Sequence, residues 1–114
     1  MKLIVTLRDS SIGEGAREYA RERIQHLERY FERITSAEVI LSVATSRKKS
    51  MLAEFVVHAN RGAVLVARAE HQEINAAIDQ AQSELKRELL RHKERLVDRH
   101  RARRASEDRK NRQS

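Results

Sequence analysis

The 114-residue sequence contains no cysteine, no proline and no tryptophan, with only three glycines, two tyrosines and two phenylalanines. Without cysteine there is no disulfide, no thiolate metal ligand and no thiol nucleophile. Three glycines leave no Gly-rich loop to cradle a phosphate, and no H-E-x-x-H run is present among five scattered histidines, His26, His58, His71, His92 and His100. His92 falls on a helix packing stripe, the place of a semi-buried histidine rather than a ligand. Glu70 and Glu73 flank a strand-to-helix turn, where carboxylates complement a helix N-terminus. No catalytic constellation emerges, so neither an enzyme, a metal, a cofactor nor a small-molecule substrate is expected. Tyr19, Phe31 and Phe55 sit at core spacing, which leaves no aromatic platform for stacking bases on a sheet. No apolar run is long enough to span a membrane, and the N-terminal residues lack the apolar core of a signal peptide. The expected compartment is the cytoplasm.

Charge is what the sequence has in plenty, and it is unevenly placed. Residues 1–85 carry 12 Lys plus Arg against 12 Asp plus Glu, whereas residues 86–114 carry 12 against 5. The formal excess of +7 therefore belongs to the last quarter of the chain. A cationic segment on a neutral domain points to a polyanion, nucleic acid above all.

Apolar periodicity gives the elements. Residues 2–8 alternate, with Leu3, Val5 and Leu7 on one side, and read as a half-buried strand. Asp9, Ser10 and Ser11 offer helix caps, with Glu14 in the capping-box position after Ser11. Ile12, Ala16, Tyr19, Ala20, Ile24, Leu27, Phe31 and Ile34 then predict a first amphipathic helix over 12–33, its outer side dressed in alternating Arg and Glu that read as a self-paired, solvated face. Alternation returns at 38–45, at 51–60 and at 63–70. The basic stretch Ser46-Arg47-Lys48-Lys49-Ser50 reads as a hairpin tip, and Asn60-Arg61-Gly62 as a turn that tolerates positive φ. Finally Ile74, Ala77, Ile78, Ala81, Leu85, Leu89, His92 and Leu96 predict a long helix over 73–99, on the order of 40 Å at 1.5 Å per residue.

The expected fold is α+β in the order β-α-β-β-β-α. A four-stranded, mostly antiparallel sheet carries two helices packed on one face, with Leu27, Phe31, Leu41, Val43, Phe55, Val57, Ile78, Leu85 and Leu89 buried together. Residues 1–98 form the domain, and residues 99–114 a basic tail without apolar periodicity, expected to be disordered until it meets a partner. The second half of the long helix is acid-poor and base-rich. Lys86, Arg87, Arg91, Lys93 and Arg95 suit the helix dipole, and also make a cationic rod for phosphates.

Two stretches carry a family resemblance. A-R-E-Y-A-R-E-R-I-Q-H-L-E-R-Y-F-E-R-I, and A-E-H-Q-E-I-N-A-A-I-D followed by L-K-R-E-L-L-R-H-K-E-R-L, resemble the two helices of the bacterial ribosome hibernation promoting factor and ribosome-associated inhibitor family, the short-form sigma-54 modulation proteins. The resemblance covers roughly residues 1–97. It implies a monomer that binds the small ribosomal subunit and its rRNA in the mRNA and tRNA channel, inhibiting translation in stationary phase or stress. Carried over position by position, the family's basic residues are Arg87, Arg91, His92, Lys93 and Arg95 on the second helix and Arg17, Arg23 and Arg33 on the first. Lys86 is an additional charge of this chain. His71 and Asn75 depart from the Gly and Tyr common in members. The sequence has no room for the dimerising second domain of long members, and its basic extension of about 15 residues matches neither short subtype. A general module for double-stranded or structured RNA is the alternative reading, and a sigma-54 modulator a weaker one.

Overall fold

The chain runs β1 (Lys2–Leu7), α1 (Glu14–Tyr30), β2 (Ile34–Ala44), β3 (Ser50–Ala59), a 3-10 turn at Asn60–Gly62, β4 (Ala63–His71) and α2 (Ile74–Arg112). The structure, a computed structural model, describes residues 1–31, 34–44 and 50–112, with side chains for all of these except Tyr30, Arg61 and 95–112. Of the basic hairpin tip at 46–50, residues 46–49 lie outside the described residues and Ser50 opens β3.

The strands form one sheet in the order β1-β2-β3-β4. β1 pairs parallel with β2, and the two hairpins pair antiparallel. The sheet is mixed, mostly antiparallel as expected, because β1 reaches β2 through the crossover helix α1 while the later strands turn back on themselves. Register aligns the apolar rows: Val5, Val39, Phe55 and Ala67 are neighbours across all four strands, as are Leu7, Leu41, Ala53 and Ala69. A bulge between Ile34 and Ser36 shifts the alternation by one residue, burying Ile34 and leaving Thr35 exposed, its hydroxyl donating to the His58 carbonyl at 3.0 Å.

Both helices lie on the same face of the sheet. Ala16, Ala20, Ile24 and Leu27 of α1 and Ala77, Ile78, Ala81, Leu85 and Leu89 of α2 are buried with Val39, Leu41, Phe55 and Val57. Phe31 and Val43, expected in that core, are half-buried at its rim. For Phe31 the cause is local, since α1 ends at Tyr30 and Phe31 is its C-cap, its backbone already out of the helical region while its N–H still donates to the Leu27 carbonyl. The other sheet face stays open, with Ile4, Val64 and Val66 about half exposed, as one side of an antiparallel sheet commonly is.

Three helix ends differ from the spacing-based expectation. The Ser11–Glu14 capping box does not form: Asp9 Oδ1 accepts both the backbone N–H and the hydroxyl of Ser11, at 2.8 and 2.6 Å, and α1 starts two residues later, from Gly13. An Asx turn has taken the group that would have capped the helix. At the far end α1 stops three residues early, and Ile34, the last apolar position of its stripe, opens β2 instead. α2 does not stop near residue 99. Its backbone runs to Arg112, so residues 99–112 continue the helix past the boundary expected at 98. Apolar periodicity ends there, but Arg, Lys, Ala and Glu are strong helix formers and no Gly or Pro interrupts them.

The geometry of overhang follows. A nine-residue β4 spans about 30 Å, which about 20 residues of helix cover; α2 has 39 residues. Leu89 is the last buried side chain of α2 among those described. Beyond it the helix leaves the sheet, and the molecule measures 68 × 30 × 18 Å.

Candidate nucleic-acid interface

On α2 the buried pair Leu85 and Leu89 fixes which way the cations point. Lys86, Arg87, Arg91 and Lys93 are exposed, while His92, in line with the buried stripe, is half-buried. At 100° per residue the four exposed cations form two flanks. Lys86 and Lys93 share the flank of Gln82, which faces α1; Arg87 and Arg91 share the other. Arg87 there lines an open cleft with Arg68 of β4 and with Asp79 and Glu84. Between the flanks stands Leu90, 44% exposed. It lies off the apolar stripe, so periodicity assigns it to neither core nor site.

The cations hold carboxylates from the preceding turn. Arg91 Nη1 lies 2.8 Å from Glu88 Oε1, and Arg87 Nη1 lies 3.6 Å from Glu84 Oε2. Exposed pairs at this spacing contribute about 0.3–0.5 kcal/mol each, little enough for a phosphate to displace. The helix thus presents cations that are positioned by weak local pairs and held on a rigid rod.

The α1 positions behave differently. Arg17 donates from Nε to Glu14 at 2.9 Å and from Nη1 to the Val5 carbonyl at 2.8 Å, which ties the start of α1 to β1. Arg23 donates from Nη2 to the Tyr19 hydroxyl at 2.7 Å, pairs through Nε with Asp79 Oδ1 at 3.2 Å, and stacks 4.9 Å above the Tyr19 ring. Hydrogen bonding to Tyr19, then the Asp79 charge, outweigh desolvation and raise the Arg23 pKa above the ordinary arginine value. Arg33 lies outside the described residues, and for Arg95 only the helical backbone is described. The structure therefore places Lys86, Arg87, Arg91 and Lys93 on the exposed side of α2, sets His92 at their edge, and gives Arg17 and Arg23, both partly exposed, partners within the domain. The Tyr19–Arg23–Asp79 contact joins residues 60 apart. Its one sequence signal is the Tyr–Arg pair four residues apart on α1.

Among the described residues no group of three or more His, Asp or Glu is placed to hold a metal ion, and no helix is long and apolar enough to cross a membrane.

Residues 3–97 match the family described as sigma 54 modulation protein / S30EA ribosomal protein. The ribosome hibernation promoting factor of Azotobacter vinelandii is 36% identical over 107 residues, 94% of this chain and 96% of the relative. A match that long reaches at least residue 107, into the tail. The N-terminal domain of Thermus thermophilus Protein Y superposes with a TM-score of 0.67 at 27% identity, over 81% of this chain and 99% of that domain. A ribosomal subunit interface protein from Coxiella burnetii has the same fold, with a TM-score of 0.69 at 16% identity over 82% of this chain and 98% of its own.

Proposed function

Because the chain belongs to the sigma 54 modulation protein / S30EA ribosomal protein family, we propose that it is a ribosome hibernation factor that binds the small subunit through α2. It contacts the rRNA of that subunit in the channel that mRNA and tRNA anticodon ends would fill, and so inhibits translation in stationary phase or stress. Relatives named ribosome hibernation promoting factor support the hibernation role. Ribosome binding in turn makes the cytoplasm its compartment.

One observation carries the choice of α2: the chain's charge excess begins at Lys86, where the helix turns exposed cations to solvent on either side of and beyond its last buried side chain, Leu89. Phosphates would replace Glu84 and Glu88 as partners of Arg87 and Arg91, releasing counterions from the RNA. No proton or electron moves, so inhibition is by occupancy. The missing aromatic platform implies recognition of backbone and shape rather than of single-stranded bases.

Sedimentation tests this reading. Purified protein mixed with small subunits, large subunits and an unrelated structured RNA should travel near-stoichiometrically with the small subunit. Equal retention by the unrelated RNA would leave a general RNA-binding module as the function.

A further inference from the structure

Two kinds of contact hold α1 against α2, and only one is directional. Ala16 and Ala20 of α1 and Ile78 and Leu85 of α2 share the buried core, at most 6% exposed. Apolar burial is non-directional: it turns the stripe of Ile78, Leu85 and Leu89 inward but sets the exact rotation about the helix axis only loosely. At the outer edge of the seam sits a polar clasp. The Tyr19 hydroxyl donates to Asp79 Oδ1 at 2.7 Å while accepting from Arg23 Nη2 at 2.7 Å. Arg23 Nε reaches the same Asp79 oxygen at 3.2 Å, and Gln82 Nε2 donates to the Arg23 carbonyl at 3.1 Å. Asp79 and Gln82 share the helical flank of Lys86 and Lys93, being seven and four residues before Lys86. Whatever fixes the azimuth of Asp79 and Gln82 fixes that of the two lysines.

We infer that Tyr19, Arg23, Asp79 and Gln82 are positioning residues that lock the rotation and tilt of α2 within the range its buried stripe allows, so that its two cationic flanks meet phosphates together. Arg23 acts through α2 and is not itself a phosphate contact, since its Nε and Nη2 are engaged on Asp79 and Tyr19. The inference rests on α2 being the polyanion-binding element.

Charge alone and positioning predict opposite signs for one substitution. Asp79→Asn removes a carboxylate beside the cationic flank, so electrostatics by itself would tighten RNA binding. Loss of the clasp would loosen it. Affinities are to be measured for the full chain and for Tyr19→Phe, Asp79→Asn, Arg23→Gln and Arg23→Lys, on small subunits and on a structured RNA duplex, at several salt concentrations. Tyr19→Phe removes one hydroxyl and keeps the ring, which makes it the variant safest to fold. Tyr19→Phe and Asp79→Asn should each weaken binding about three- to tenfold. The slope of log K against log salt should match the parent's. Arg23→Gln and Arg23→Lys should weaken binding alike, again at parent slope. Tighter binding by Asp79→Asn, parent affinity in Tyr19→Phe or Arg23→Lys, or a slope shallower by about 0.7–0.9 in Arg23→Gln, as one lost phosphate contact would give, would each overturn the inference. Failure of the parent to bind subunits would count against the ribosomal function alone, because the same comparison on duplex RNA still decides the clasp.

Discussion

Leu85 and Phe31 show how burial sets the worth of a side chain. Leu85 is fully buried between α2 and the sheet, so Leu85→Ala leaves a cavity as well as losing transfer energy, about 3–5 kcal/mol in all. Phe31 caps α1 at the rim, half-buried. Its truncation should cost no more than about 2 kcal/mol, since much of the ring already meets water. Urea melts of both variants check the order, and equal losses would mean that Phe31 packs more deeply than its place at the helix end allows. Gly62 offers a separate test of backbone conformation. Its φ is +73°, and a Cβ built there meets nothing within 4 Å. Gly62→Ala should therefore cost about 1 kcal/mol through left-handed strain alone, and Gly62→Asn less, because Asn tolerates that region. A Gly62→Ala midpoint equal to the parent's would show that the turn relaxes to negative φ.

At the scale of elements, strands and helix interiors were legible because period 2 and period 3.6 report burial directly. Val39, Leu41, Phe55 and Val57 alternate inward as read, and Ile78, Leu85 and Leu89 line the buried side of α2. Ends were less legible, for a physical reason: an end is decided by competition among polar groups. Asp9 captured Ser11 before it could cap α1. The bulge at Thr35 handed Ile34 from the expected helix stripe to β2. The site divides in the same way. Exposure of Lys86, Arg87, Arg91 and Lys93 follows from the apolar stripe, whereas the engagement of Arg23 with Asp79 is long-range and invisible to local spacing. The element-scale prediction uses this division. Changing Arg87, Arg91, Lys93 and Arg95 together to Ala should abolish inhibition in a cell-free translation assay while circular dichroism stays unchanged. Alanine favours helix, and the exposed pairs to Glu84 and Glu88 are worth about 0.5 kcal/mol each at most. Full inhibition by a folded quadruple variant would remove α2 as the active element.

The whole molecule is a neutral domain from which one charged helix projects, and this asymmetry sets both its salt dependence and the share of its tail. If about five cations meet phosphates, log K should fall against log salt with a slope of roughly −3 to −5. A slope near zero would point to a protein surface as the main partner. The share of the tail turns on packing. Through Leu89 the sheet and α1 hold α2 in place; from residue 99 onward the positions that continue the buried stripe are Arg99, Arg103, Glu107 and Lys110, charged residues all. Helices take most of their stability from a packed face. The tail's helix therefore rests on propagation from the folded part, and each residue that contact must order costs about 1–2 kcal/mol. Arg101, Arg103, Arg104, Arg109, Lys110 and Arg112 add phosphate attraction but spend part of it on that ordering. Deleting residues 101–114 should accordingly weaken ribosome binding only modestly and leave inhibition in place. The quadruple α2 variant and the deletion belong in one translation assay. Inhibition kept by the helix variant and lost by the deletion would make the tail the active element and reduce α2 to its support.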